Sequence, residues 1–234
     1  NFIVDGLSAN DDAAALSGIT YSVEAIEQFQ VVTSGGQAEL GRALGGYINV
    51  VTKSGTNAVR ASLYDFVRHD ALNARHALSR TRLPMRQWQF GGTLGGPLAR
   101  DRTFYFANVE HRALDQTGLT TVHEADVQAI NERLRATRYP VPRVKTGAYQ
   151  TPVDTTNALV KVDHHVGPRS QLGIRYALYS VTARNARGVG ALNTPSASSH
   201  LDNLDQSAAV SHLQVLTSRT VLVTRAQFAH SHLA

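Results

Sequence analysis

The sequence predicts a mostly β protein: a compact, glycine-dense N-terminal region followed by a run of antiparallel strands with one apolar and one polar face. Three observations carry this expectation. From Ala58 onward apolar and polar residues alternate with a period of two, as they do in strands whose faces meet different surroundings. Short turns and long polar loops alternate between those strands, the asymmetry of a sheet that crosses a membrane with plain turns on one side and elaborated loops on the other. Composition agrees, because Met and Trp occur once each while 18 glycines punctuate the chain, which favours turn-rich β structure over helical packing.

A chain of 234 residues is long enough for one large or two small domains with a buried core. The net charge of +5 comes from scattered arginines that form no basic stripe, so nucleic acid is not an expected partner. The chain contains no cysteine, which excludes disulfides and thiolate metal centres. No window reaches the roughly 18 to 20 continuous apolar residues of a membrane-spanning helix, but barrel strands need only about 9 to 11 alternating residues each. The sequence opens without an initiator Met or a secretion segment and stops inside a strand pattern at His230-Ser231-His232-Leu233-Ala234, so a fragment of a longer protein is expected.

In chain order, Phe2-Ile3-Val4 reads as a strand closing into a turn at Asp5-Gly6. Ser22 is a helix N-cap for a short turn over 23–28, with Glu24 and Glu27 near its positive end. Strands follow at 29–33 and 47–52, separated by a glycine-rich segment with Glu39 and Arg42 at its centre. The run 59–68 alternates with Tyr64 and Phe66 on one face, and Asp65 on the other argues that the two aromatics point to lipid. At 87–94, Trp88, Phe90, Gly92 and Leu94 alternate with Gln87, Gln89, Gly91 and Thr93, the apolar-out, polar-in pattern of a wall between two solvents. Gly95-Gly96-Pro97 and Arg100-Asp101-Arg102 are expected to form a tight turn into a returning strand over 103–110. A long polar segment over 111–155, holding a helix at 125–135, leads to strands at 157–165 and 171–182. After a loop over 183–205, further strands follow at 206–216 and 220–230. A soluble β-sandwich with variable loops, binding sugars or proteins, is the alternative that periodicity leaves open.

Four stretches together carry a family resemblance: Phe2-Ile3-Val4-Asp5-Gly6, the run SVEAIEQFQVVTSGGQAELGRALGGYINVVTKSGTN from Ser22, DALNAR from Asp70, and QFGGTLGGPLARDRTFYFANVE from Gln89. In this order they resemble TonB-dependent outer-membrane receptors, specifically the Oar-like group. The match is strong over about the first half of the chain and rests on strand pattern in the second. The resemblance implies the C-terminal part of a plug domain (1–56) followed by about seven antiparallel strands (57–234) of a 22-stranded transmembrane β-barrel, which is incomplete because seven strands cannot close. It implies the outer membrane of a Gram-negative-type bacterium as location. The implied partners are an extracellular ligand, outer-membrane lipid and the inner-membrane TonB complex, whose contact segment would lie outside this sequence. The implied activity is import energised by TonB, with adhesion, surface display or secretion as the alternative use of such a barrel. No enzyme activity, cofactor or metal is implied.

Site residues follow from this frame as expectations. Ligand contacts are placed at Ser34, Gly35 and Gly36 and in the first loop at His69 and Arg75. Plug packing and plug-to-barrel contact are placed at Glu39, Arg42, Gly45, Gly46, Lys53 and Gly55, with Gly55 permitting a sharp bend where the chain crosses into the barrel. Glu39 and Arg42 are three apart and could equally form a solvated local pair. Other patterns carry less. The glycines between 36 and 46 lack the Lys-Ser/Thr of a phosphate loop, and the GxxG at Gly92–Gly95 sits inside an alternating strand. His164 and His165 are adjacent on a strand and so point to opposite faces, which is poor geometry for joint metal binding.

Overall fold

The period-two alternation becomes seven long antiparallel strands. A computed structural model describes residues 1–11, 16–33, 46–75 and 82–234, and among them two units form. The N-terminal unit contains β1 (Phe2–Val4), β2 (Leu7–Ser8), β3 (Asn10–Asp11), β4 (Leu16–Ser17), β5 (Ile26–Val32) and β6 (Tyr47–Thr52). Four of these make a sheet in the order β2-β1-β6-β5, in which β1 runs parallel to β6 and the other pairs are antiparallel. Asp5 and Gly6 both take positive φ, 50° and 76°, between Val4 and Leu7. That is the two-residue hairpin turn for which Asp-Gly is favoured. Ser22 caps a single 3-10 turn (Val23–Ala25), its hydroxyl accepting the Glu24 N–H at 3.2 Å.

The large sheet is built from β7 (Arg60–His69), β8 (Met85–Ala99), β9 (Thr103–Thr120), β11 (Val153–Gly167), β12 (Ser170–Arg187), β13 (Ser199–Thr217) and β14 (Thr220–Leu233), each beside its sequence neighbour, with β10 (Gly147–Gln150) added to the end of β9. It does not close into a barrel. Short turns at 100–102, 168–169 and 218–219 lie at one end; the other end carries excursions over 70–84, 121–152 and 188–198, the second holding α1 (Glu124–Ala136).

Register decides which residues share a face. Across the sheet Tyr64, Gly91, Glu110, Asn157, Tyr179 and Asp205 stand in one row. One residue along, Leu63, Gly92, Val109, Ala158 and Leu178 stand in the next, on the opposite face. The second face is apolar and open, with Leu63 91% and Val109 57% exposed and Val160, Ile174, Tyr176 and Phe228 beside them. The first face is polar and covered: Asn108, Glu110, Thr155, Asn157, Asp163, Arg175 and Ser207 are all buried. Apolar surface outside and buried polar surface inside inverts a water-soluble protein and fits a wall with lipid on one side. The small apolar core sits between the units, where Ile19 and Ala25 meet Phe106, Leu159 and Ala177.

The expected outward face of β8 agrees with this register, but that of β7 does not. Tyr64 points inward, its hydroxyl 2.9 Å from Glu110 Oε2, and Phe66 shares its face. Asp65 takes the outward face because Trp88, one strand away, donates its indole N–H to it at 2.6 Å. A second correction concerns the expected turn: Gly95, Gly96 and Pro97 continue β8 as far as Ala99, and the turn is Arg100–Arg102 alone, with Asp101 at φ 57°. Five of the seven long strands also begin or end well beyond the alternating runs. At about 3.4 Å per residue and a tilt near 45°, strands of this length overrun a roughly 25 Å apolar band, so their ends feel no lipid and lose the pattern.

Candidate functional site: a polar seam between the two units

Two clusters join the N-terminal unit to the inner face of the large sheet. In the first, Ser22 and Tyr64 both donate to Glu110 Oε2, at 2.8 and 2.9 Å, and their hydroxyls lie 3.1 Å apart. Asn108 donates to the Tyr64 hydroxyl at 3.3 Å and to the Gly92 carbonyl at 3.1 Å. Gly91 lets the phenol cross the sheet, since a Cβ there would meet the Tyr64 hydroxyl at 2.5 Å and the Val109 carbonyl at 2.6 Å. Glu110 is 7% exposed and bound through hydroxyls, with no cation paired to it among the described residues.

The second cluster centres on Asp5. Its position at the hairpin turn projects the carboxylate between the units, where Oδ1 accepts the Thr52 N–H at 2.9 Å and Oδ2 accepts the Thr52 hydroxyl at 2.7 Å. Arg175, on β12, donates to the same Oδ2 at 2.6 Å and lies over the Tyr21 ring, 5.7 Å from its centroid. Lys161 donates to the Thr52 carbonyl and hydroxyl, both at 3.3 Å. Burial holds the Tyr21 phenol above its usual range; Arg175 opposes that rise and Asp5 adds to it. Beside this cluster is a cavity of about 210 Å³ lined in part by Asp5, Lys161, Asp163, Arg175 and Arg225. Asp163 Oδ2 and Arg175 Nε are buried without a hydrogen-bond partner among the described residues. The seam thus joins the units through directional, charge-assisted contacts around the small apolar core, and water can replace the polar contacts on separation.

The sequence-predicted residues fall unevenly on this picture. Ser34, Gly35, Gly36, Glu39, Arg42 and Gly45 lie outside the described residues. Gly46 adopts φ 150° and packs on the Val32 carbonyl, which a Cβ would meet at 2.6 Å. Lys53 lies 3.8 Å from Glu24, within the N-terminal unit. Gly55 does contact the large sheet, but for a different reason than bending. A Cβ there would stand 2.2 Å from the Tyr105 carbonyl and 2.8 Å from that of Gly96, so glycine is required by close approach of backbone to backbone. His69 lines a cleft of about 310 Å³ at the loop end, with Asp70, Arg86, Asp115 and Gln150, while Arg75 is exposed and outside it. A third cleft, also about 310 Å³, opens between Tyr21 and β13–β14. His164 and His165 do face apart, one bonded to the Thr103 hydroxyl and the other edge-on to Phe104. Sequence reasoning missed Asp5, Ser22, Glu110, Lys161 and Arg175 as the residues of the seam. The signal was available for the last three: each is a charge on the polar side of a strand whose other side is apolar.

Comparison with known proteins adds independent findings. Residues 51–131 match a family model described as an outer membrane beta barrel domain. Over 114 residues the chain is 32% identical to the TonB-dependent transporter Oar of Myxococcus xanthus, covering 45% of this chain and 11% of that protein. Among solved structures, the outer membrane transporter YddB of Escherichia coli aligns over 97% of this chain and 30% of its own length at a TM-score of 0.63 and 17% identity. The ferric enterobactin receptor PfeA of Pseudomonas aeruginosa aligns over 98% of this chain and 32% of its own length, with a TM-score of 0.60 and 12% identity. The chain therefore spans about a tenth of the curated relative and a third of each solved barrel. These proteins are transporters and receptors, not enzymes.

Proposed function

We propose that this chain is part of a TonB-dependent-receptor-type β-barrel of the Gram-negative outer membrane, with residues 1–56 the end of a plug and residues 57–234 the first strands of the barrel around it. The complete protein binds an external ligand and admits it when the TonB complex displaces the plug. The observation that carries this reading is the polar seam: the inner face of the wall buries Glu110, Asn108, Asp163 and Arg175 against the N-terminal unit. The apolar part of the interface is a small cluster, Ile19 and Ala25 against Phe106, Leu159 and Ala177, and the hydroxyl-carboxylate and arginine-carboxylate contacts around it exchange for water at modest net cost. Ligand contact is assigned to the segment Ser34-Gly35-Gly36 and to the first loop at His69 and Arg75; Glu39, Arg42, Gly45, Gly46, Lys53 and Gly55 are assigned to plug packing and the crossing.

Import is distinguished from adhesion or display by energy dependence. The 234 residues contain no cysteine, so Asp5→Cys places a reporter on the seam, and in the complete protein any cysteine outside these residues is first replaced by serine. Its reaction with a water-soluble maleimide should be faster in energised cells than in cells lacking TonB. Equal reactivity in the two strains would contradict TonB-driven plug movement and leave the barrel as a surface-display or secretion element.

A further inference from the structure

We propose that the excursion between β9 and β10 is a binding surface for the phosphate-bearing acidic sugars of the outer-leaflet glycolipid. Between residues 133 and 145 the chain carries Arg133, Arg135, Arg138, Arg143 and Lys145 and no acidic residue. All five are exposed, and none forms an ion pair among the described residues. Helix polarity accounts for only two of them, since Arg133 and Arg135 sit in the last turn of α1, where the dipole favours cations. The other three lie beyond the helix and are held in place by specific contacts.

Asn131, on α1, clamps the returning segment through both amide atoms. It donates to the Val144 carbonyl at 2.9 Å and accepts the Val144 N–H at 2.8 Å. Arg143 and Lys145, flanking Val144, are thereby fixed against the helical half that bears Arg135. Arg138 occupies the left-handed position that ends the helix, at φ 51°, where glycine is the usual residue. Its neighbours close the helix end, the Tyr139 N–H donating to the Leu134 carbonyl at 3.1 Å. The base of the excursion is pinned by Thr120 to Gly147 and by Thr146 to Val122, so the backbone that carries the cations is anchored at both of its ends.

Height and shape select the partner. The long-loop end of such a wall faces the cell exterior. The outward apolar rows end with Val67, Trp88 and Ala113, which stand side by side on β7, β8 and β9. Thr120 is roughly seven residues beyond Ala113, which at about 3.4 Å per residue and a tilt near 45° places the excursion roughly 17 Å above the hydrocarbon. That is the level of headgroup sugars, beyond the reach of acyl chains. None of the three clefts described above takes a lining residue from 133–145. Cations spread over exposed surface suit a many-phosphate partner, whereas a small anionic cargo needs a concave site. The exposed Tyr139 and Val141 beside the charges offer an apolar and aromatic patch for sugar rings.

The test is binding of fluorescent lipopolysaccharide to the complete protein in detergent, with folding checked by resistance of the barrel to SDS. The variant carrying Arg135→Gln, Arg138→Gln, Arg143→Gln and Lys145→Gln should weaken binding about tenfold or more, and dephosphorylated lipopolysaccharide should bind the unaltered protein as weakly. Arg138→Gly alone should weaken binding a few-fold (about twofold to fivefold) while leaving thermal stability equal or higher, because it relieves a left-handed arginine; a folding defect then cannot explain the loss. Unchanged affinity in the four-site variant would overturn the proposal. So would equal competition by millimolar inorganic phosphate, which indicates a small-anion site, or equal binding of dextran sulfate, which indicates unselective attraction.

Discussion

Replacing Arg175 by Met should loosen the N-terminal unit without unfolding the wall. The Arg175 side chain is 5% exposed and donates at 2.6 Å to an Asp5 carboxylate that is 21% exposed. Removing one partner of a fully buried pair costs about 3–5 kcal/mol, since it strands the other charge. Asp5 keeps both Thr52 bonds and some access to water, which brings the expected loss to about 2 kcal/mol. A loss of that size opens the seam roughly 30-fold more often. The readout is native-state amide hydrogen exchange on the complete protein in lipid nanodiscs, following β1 and β6 against β11 and β12. Exchange should rise in β1 and β6 and stay unchanged in β11 and β12. Adding Asp5→Asn to Arg175→Met should restore about 1 kcal/mol, because no lone carboxylate remains. The reasoning is refuted if exchange in β1 and β6 stays within about twofold of the unaltered protein, or if the wall strands accelerate equally.

Other consequences can be checked alongside. Gly55→Ala should reduce the yield of SDS-resistant barrel, with a loss of about 2 kcal/mol or more, because its methyl meets two backbone carbonyls that cannot move aside. Tyr64→Phe, assayed by the same exchange method, should weaken the seam by about 1 kcal/mol through loss of one hydroxyl from Glu110. Tyr21 has a phenol pKa raised by folding, so its contribution is complete below pH 10.0, the ordinary phenol value, and is lost as pH climbs toward the higher folded value. Tyr21→Phe should therefore flatten the alkaline loosening of β1 and β6 above that pH. Val160→Lys should cost about 2–4 kcal/mol in folding into lipid vesicles, because Val160 stands on the outward apolar face.

What the sequence revealed follows physical constraint. Where lipid meets one face and water the other, residues must alternate, and the run Trp88–Leu94 located its strand and its facing directly. Beyond the apolar band that constraint ends: β9 continues through Gln116–Thr120 and acquires β10 as a partner, neither of which the pattern marks. The facing of β7 was misread because Asp65 was judged alone, while its partner Trp88 lies 23 residues away. Distance in sequence likewise hid the seam, for Asp5 and Arg175 are 170 residues apart. A buried charge becomes legible only once two elements are known to touch. The helix α1 was legible from its own residues, since the acidic first turn and basic last turn are local signals.

The central claim is that the N-terminal unit occludes a barrel whose polar inner face it covers. Planar-bilayer conductance of the complete protein, compared with a form lacking the whole plug up to residue 52, tests it most directly. The intact protein should be nearly silent and the shortened form, verified as an SDS-resistant barrel, should open in discrete, long-lived conducting steps. Equal conductance from the two forms would contradict the claim, because a unit that fills the lumen cannot be removed without opening it.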